Sequence, residues 1–134
     1  MATKARYLLK DVFRLIADGS YWFSARPRSS YAVIKAYGSS GKTLSADEAE
    51  AFILKAIGDL TEGHFCESVL QWNDPKCIAD VYGLIYDERP WYVKFRIDSE
   101  EGETLEEISF HPPEKEMKTV NGSVIPKGAN DGKE

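Results

Sequence analysis

Through the first half of the chain, apolar side chains recur every three or four positions, which is the spacing of helices. The first helix is predicted from about Lys4 to Asp18, with Gly19 placed to end it in a left-handed conformation. A second, short helix is predicted over Ser29–Tyr37. A third is predicted to begin at Ser45, because Ser45 and Glu48 have the spacing of a capping box. The N-terminal half is therefore expected to be helical.

Beyond Ser68 the pattern changes to the alternation of apolar and polar positions that is typical of β-strands. Four strands separated by turn residues are predicted at Val69–Trp72, Ile78–Tyr86, Trp91–Asp98 and Thr104–Phe110. Helices followed by an antiparallel sheet predict an α+β fold, with the N-terminal helices packed on the C-terminal sheet. We expect one domain over residues 1–113. The polar residues 114–134 are expected to form a flexible C-terminal tail.

The same alternation distributes side chains between the two faces of the predicted sheet. In the third strand Tyr92, Lys94 and Arg96 share one face, and the other face is apolar. We expect the polar side chains of the neighbouring strands to lie on the same face. These additional candidates are Asp80, Tyr82 and His111.

Such a set of groups suits the cleavage of RNA without a metal ion. The ribose 2′-hydroxyl needs a base, the 5′-oxygen leaving group needs an acid, and the crowded phosphorane needs cations. An imidazole titrates near neutrality, so His111 suits proton transfer. Lys94 and Arg96 would stabilise phosphate charge, and Tyr92 or Tyr82 would donate a hydrogen bond or stack on a base. Alternation of this kind is equally typical of any solvent-facing sheet, so an ordinary surface is the competing interpretation.

The net charge of -5 argues at first against binding to nucleic acids, but the charge is unevenly distributed along the chain. Residues 1–42 carry eight basic side chains against two acidic ones, so the negative charge lies in residues 43–134. An acidic protein with this asymmetry can still present a basic surface to phosphates. Arg26 and Arg28 are accordingly candidate RNA-binding residues. A solvated surface with uneven charge is the alternative.

Neither a cofactor nor a metal site is predicted. Cys66 and Cys77 are too few for a disulfide framework, and with His64 they match no common zinc-ligand spacing. No apolar run approaches the roughly 18 residues that a membrane helix needs, and no signal peptide is evident. We therefore expect a cytoplasmic protein without a membrane partner.

Several short motifs follow one another in a fixed order between about residues 8 and 111. They are Leu60, Phe65, Ser68, Asp80-Val81-Tyr82, Tyr92-Val93-Lys94 and Ile108-Ser109-Phe110. The series resembles the MqsR family of bacterial type II toxin–antitoxin systems, the motility quorum-sensing regulator mRNA interferases. Each motif is common by itself, whereas the series in register is moderately specific.

This resemblance implies a RelE-like fold and an endoribonuclease that cleaves mRNA independently of the ribosome, without a metal ion. It also implies neutralisation by a cognate antitoxin protein encoded beside it. Tyr92 matches a tyrosine associated with activity in the family, and Lys94 matches a retained lysine. Asp80 and Tyr82 match the Asp-Val-Tyr signature.

Three positions depart from the archetype of that family. It has lysine at the position of Glu67, glutamine at that of Ala79 and lysine at that of His111. His111 keeps a cationic or acid–base group, whereas Glu67 reverses a charge near the expected phosphate. A second hypothesis is therefore a non-catalytic module that binds nucleic acid or a partner protein on the same fold. A third is an unrelated small domain in which the motif series is coincidental.

Overall fold

The computed structural model describes residues 4–24, 27–71 and 74–128. Within these ranges the chain forms three α-helices, a five-stranded sheet and a two-stranded hairpin. In chain order the elements are α1 (Leu9–Asp18), β1 (Tyr21–Phe23), α2 (Arg28–Gly38), α3 (Ala46–Gly58), β2 (Phe65–Gln71), β3 (Asp74–Tyr86), β4 (Arg89–Asp98), β5 (Thr104–His111), β6 (Met117–Lys118) and β7 (Val124–Ile125). The α+β class is confirmed.

Local sequence signals account for the helix ends. Gly19 ends α1 with φ of 76°, a left-handed conformation that suits glycine. At the start of α3, the hydroxyl of Ser45 accepts a hydrogen bond from the Glu48 amide at 3.1 Å. The Glu48 carboxylate accepts one from the Ser45 amide at 2.8 Å, which completes the predicted capping box. No helix in the described ranges is both long and apolar enough to cross a membrane.

α1 begins at Leu9 rather than near Lys4. The residues before it are held in another way, because the amides of Arg6 and Tyr7 donate to the two carboxylate oxygens of Asp80 at 3.0 and 2.9 Å. These long-range hydrogen bonds tie the segment before α1 to β3.

The sheet has the strand order β1-β5-β4-β3-β2. The four predicted strands pair antiparallel, as expected. β1 adds an edge strand parallel to β5, with Tyr21 opposite Leu105, so the sheet is mostly rather than wholly antiparallel. A three-residue strand has no periodicity of its own, and its pairing is set by contacts distant in sequence.

One face of the sheet packs against the helices and forms the core. The apolar side chains of β4 lie there, as predicted, and they are buried: Trp91, Val93, Phe95 and Ile97. At the edge of the core, the partly buried Phe52 meets four aromatic rings edge-on: Tyr37, Tyr86, Trp91 and Phe110. Edge-to-face contacts of this kind favour aromatic packing beyond the area they bury.

Residues 114–128 are not the flexible tail that was predicted; β6 and β7 form a hairpin on the second face of the sheet. The hairpin lies on Gly83, where an added Cβ would be 3.1 Å from Met117 Sδ and 3.2 Å from Ile125 Cγ1. At its turn, the Val120 amide donates to the Phe65 carbonyl at 2.8 Å. The folded domain therefore continues past residue 113, and the rest of the predicted tail, residues 129–134, lies outside the described residues.

After the hairpin the chain returns to the end of β5. The Gly128 amide donates to the Pro113 carbonyl at 2.8 Å. A Cβ on Gly128 would lie only 2.5 Å from the Cβ of Pro112, so the close approach requires glycine here. The hairpin is thus held at its turn, at its centre and at its exit.

Candidate active site

Two transverse rows of side chains cross the second face of the sheet, beside the hairpin. Strand register places one row on Glu67, Val81, Lys94 and Ser109. The next row consists of Gly83, Tyr92 and His111. Neighbouring strands are about 4.8 Å apart, so the first row spans about 14 Å from β2 to β5.

These rows form the floor of a groove of about 830 Å³. One wall is the segment that leads into the hairpin, residues 114–118. The charged and polar side chains of the groove are Cys66, Glu67, Tyr92, Lys94, Ser109, His111, Glu114, Lys115, Glu116 and Lys118. We refer to this space as the groove. Its volume lies within the range that is typical of small-molecule sites.

Tyr92 and His111 form a stacked pair in the groove, with ring centroids 4.8 Å apart and an interplanar angle of 13°. The Nδ1 atom of His111 lies 2.8 Å from the carbonyl oxygen of Pro112. A carbonyl can only accept, so Nδ1 carries the proton in this contact. Nε2 is then the nitrogen that can take up or release a proton.

Tyr92 is half-buried, and its pKa is raised above the ordinary value. The largest cause is burial, followed by the negative charge of Glu67 and the neighbouring Cys66 and Glu114. The phenol therefore stays protonated at neutral pH. It can donate a hydrogen bond to a phosphate oxygen but cannot serve as a base.

Lys94 and Glu67 occupy the same row with Val81 between them. Among the residues that the structure describes, neither charged side chain forms an ion pair or a side-chain hydrogen bond. Both charges are therefore available to a ligand. The Lys94 ammonium provides the positive charge that a phosphate needs at the centre of the groove floor.

Arg96 shares a face with Lys94 but does not reach the groove. Its Nε donates to the Glu106 carboxylate at 2.8 Å, and its Nη2 lies 3.6 Å from Asp98. A guanidinium already paired with two carboxylates has little positive charge to offer a phosphate. The predicted RNA-binding role of Arg96 is not supported by this arrangement.

The prediction that Asp80 and Tyr82 lie on the polar face is wrong. Register places them opposite Phe95 and Val93, on the helix side, and both side chains are fully buried. Besides the two amides before α1, Asp80 accepts a hydrogen bond from the Ser68 hydroxyl at 2.6 Å. Tyr82 stacks on Phe95 with ring centroids 5.3 Å apart, and burial raises its pKa. Both residues belong to the packed interior of the fold, and neither is exposed on the groove side of the sheet.

Of the two candidate arginines, Arg28 begins α2 and lines a smaller cavity of about 290 Å³ together with His111 and Glu114. The structure therefore brings Arg28 to the His111 end of the groove. Arg26 lies outside the described residues. No prediction from sequence placed residues 114–118 at the site, although the apolar side chains of Met117, Val120, Val124 and Ile125 in this mostly polar segment were a signal for packing.

A buried carboxyl lies on the opposite face of the sheet. One oxygen of Glu107 accepts a hydrogen bond from Ser29 at 2.7 Å, and the other has no hydrogen-bond partner among the residues that the structure describes. Desolvation raises the pKa of Glu107 to about 7, partly opposed by the hydrogen bond from Ser29. Glu107 is outside the groove, so its role concerns stability.

The described part of the chain contains no group of three or more His, Cys, Asp or Glu side chains that could hold a metal ion. Cys66 and Cys77 are free thiols, and burial raises the pKa of Cys66 to about 11. Cys66 is therefore a neutral thiol and a poor nucleophile. Comparisons with protein-family models, curated proteins and solved structures found no match for the chain.

Proposed function

We propose that the protein is an endoribonuclease toxin that cleaves mRNA in the cytoplasm, independently of the ribosome and of a metal ion. Support comes from the convergence of Tyr92, Lys94 and His111 on one groove. Tyr92 and Lys94 are also the positions through which the sequence resembles the MqsR mRNA interferases. The proposal includes the RelE-like fold of that family, with which helices on one face of a mostly antiparallel sheet are compatible.

The groups in the groove suit attack by the neighbouring ribose hydroxyl. A bond forms between O2′ and phosphorus, and the bond between phosphorus and O5′ breaks. His111 Nε2 transfers a proton, while the Lys94 ammonium and the Tyr92 hydroxyl stabilise the charge that develops on the phosphorane. The expected products are a 2′,3′-cyclic phosphate and a 5′-hydroxyl.

The main support for the proposal is that both the orientation and the tautomer of the His111 imidazole are fixed. Stacking on Tyr92 orients the ring, and the contact with Pro112 fixes its tautomer. Held in this way, Nε2 is preorganised for proton transfer, which is what general acid–base catalysis requires.

The test is cleavage of a single-stranded RNA by the purified protein in the presence of EDTA, with analysis of the product ends. His111→Ala should lower the rate about 10²-fold or more. His64→Ala changes the other histidine of the chain, which caps the 3₁₀ turn Glu62–His64 outside the groove, and should retain activity. Loss of cleavage on chelation, restored by Mg²⁺ or Zn²⁺, would contradict the proposed mechanism.

A toxin of this class needs a partner that holds it inactive, so the proposal includes a cognate antitoxin encoded by a neighbouring gene. Expression of the protein alone should arrest growth, and co-expression with the neighbour should yield a heteromeric complex and restore growth. Recovery of free protein alone, with the neighbour expressed, would count against this part.

The second candidate function is a non-catalytic module that binds nucleic acid or a partner protein. The charge balance of the groove favours it, because three carboxylates and three ammonium groups line the groove together: Glu67, Glu114, Glu116, Lys94, Lys115 and Lys118. A groove built only for phosphate affinity would be more basic. RNA or protein binding without any cleavage of RNA would select this alternative.

A further inference from the structure

RNA cleavage by the 2′-hydroxyl needs two proton transfers, because O2′ loses a proton while O5′ gains one. The proposed function assigns only His111 to proton transfer. A second group must therefore lie in the groove, on the other side of the phosphate from His111, since the entering and leaving oxygens are in line through phosphorus.

Few groups in the groove can accept a proton. The ammonium of Lys94 cannot, and Cys66 and Tyr92 are held in their neutral, protonated forms by burial. The remaining acceptors are the carboxylates of Glu67, Glu114 and Glu116. Glu114 also lines the smaller cavity with His111, so it lies on the same side as the imidazole. Glu116 belongs to the irregular segment before β6 and has no strand register to position it.

Glu67 satisfies the positional requirement. It lies on β2 at one end of the first row, whereas Ser109 and His111 lie on β5 at the other end, with Lys94 between them. The negative charge of Glu67 raises the pKa of Tyr92, so its carboxylate is within electrostatic reach of the phenol that stacks on His111. Its carboxylate has no partner among the described residues that would occupy it.

We propose that Glu67 is the general base of the cleavage reaction and that His111 is the general acid; this inference rests on the proposed function. The Glu67 carboxylate takes the proton from O2′ as O2′ bonds to phosphorus. The imidazolium of His111 gives its Nε2 proton to O5′ as the bond between phosphorus and O5′ breaks. Lys94, between the two, offsets the repulsion between Glu67 and the phosphate.

Two RNA substrates separate the roles of base and acid. One carries the normal bridging 5′-oxygen at a single cleavable site, and the other carries sulfur at that position. A thiolate leaves without being protonated, so the sulfur substrate needs the base but not the acid. Single-turnover rates are measured for the wild type, Glu67→Gln, Glu67→Asp and His111→Ala, with Glu101→Gln as a matched charge control in the exposed turn between β4 and β5.

Glu67→Gln should lower the rate about 10²-fold or more with both substrates, and Glu67→Asp should recover part of the loss. His111→Ala should be impaired with the oxygen substrate and close to wild type with the sulfur substrate. Glu101→Gln should match the wild type. RNA affinity of Glu67→Gln should be equal or tighter, because a negative charge is removed from the groove.

The outcomes distinguish this inference from the proposed function. If the wild type cleaves RNA and Glu67→Gln does so at the same rate, Glu67 is not the base although the protein is a ribonuclease. If Glu67→Gln is impaired only with the oxygen substrate, Glu67 acts on the leaving group and the assignment is overturned. A wild type that cuts neither substrate overturns both proposals. Glu67 is exposed, so circular dichroism and thermal unfolding should show an unchanged fold.

Discussion

Lys94 and Arg96 are two residues apart on the same face of β4, yet only Arg96 has ion-pair partners among the described residues. The register of β5 causes the difference: Arg96 lies opposite Glu106, whereas Lys94 lies opposite Ser109. The Arg96 guanidinium is therefore paired within the sheet, and the Lys94 ammonium is available to a ligand in the groove.

This difference predicts opposite effects for two matched variants. Lys94→Ala should weaken RNA binding. It should also reduce the slope of the logarithm of affinity against the logarithm of salt concentration by about 1, which is the contribution of one phosphate contact. Arg96→Ala should leave the salt slope unchanged and lower stability by about 1 kcal/mol or less, because partly exposed ion pairs contribute little. RNA titrations at several salt concentrations, with chemical denaturation, measure both. Equal salt slopes for the two variants would refute the distinction.

The hydroxyl and the ring of Tyr92 are expected to contribute separately. Tyr92→Phe keeps the stack on His111 but removes the hydrogen-bond donor, and should lower the cleavage rate about 10²-fold without a change in stability. Tyr92→Ala should also release the imidazole and lower the rate further. Single-turnover kinetics and thermal unfolding separate these effects. A Tyr92→Phe enzyme as fast as the wild type would remove the hydroxyl from the mechanism.

Gly83 is expected to control the position of the hairpin. Gly83→Ala places a Cβ against Met117 and Ile125, which should cost about 1–2 kcal/mol and increase protease cleavage within residues 114–128. Cleavage of RNA should fall as well, since the hairpin segment is a wall of the groove. The control is Gly38→Ala, where a Cβ meets nothing within 4 Å.

A double-mutant cycle tests whether the cost of Gly83→Ala arises from the contact of the new Cβ with Met117. In a Met117→Ala background, the cost of Gly83→Ala should fall but not vanish, because the Met117 side chain is gone while Ile125 Cγ1 still lies 3.2 Å from the added Cβ. Additive effects of the two substitutions would show that Gly83 acts through something other than its contact with Met117.

The raised pKa of the buried Glu107 carboxyl should make the stability of the protein depend on pH. Burial raises this pKa in the folded protein to about 7, above the ordinary value of 4.5. The folded state therefore holds the proton more tightly, and the associated stability is complete below about pH 4.5 and is lost as the pH rises through 7. The shift corresponds to about 3 kcal/mol. Glu107→Gln should flatten this part of the stability curve and melt higher than the wild type at pH 8, as calorimetry across pH would show.

Elements with local signals were predictable from the sequence. The capping box of Ser45 and Glu48, the glycine after α1 and the alternation in β4 each act within a few residues. The stacked Tyr92 and His111 were assigned to one face correctly, because β4 and the end of β5 have one apolar and one polar side.

The faces of β3 were not predictable in the same way, because both are covered. Helices pack on one side, and Met117 and Ile125 of the hairpin pack on Gly83 on the other. A strand covered on both faces has no solvent side for alternation to reveal. Strand alternation placed Asp80 on the polar face, whereas the amides that it binds belong to residues more than seventy positions away. The pairing of Arg96 with Glu106 likewise depends on cross-strand register.

The close contact of Gly128 with Pro112 has a practical consequence for work with the protein. Pro112 follows His111 directly, so any sequence fused after Gly128 begins at the mouth of the groove. A bulky group fused directly after Gly128 would crowd the path of the RNA in the proposed reaction and lower the measured rate. Fusions at the amino terminus, whose described part approaches the sheet through Asp80 on the opposite face, leave that path open.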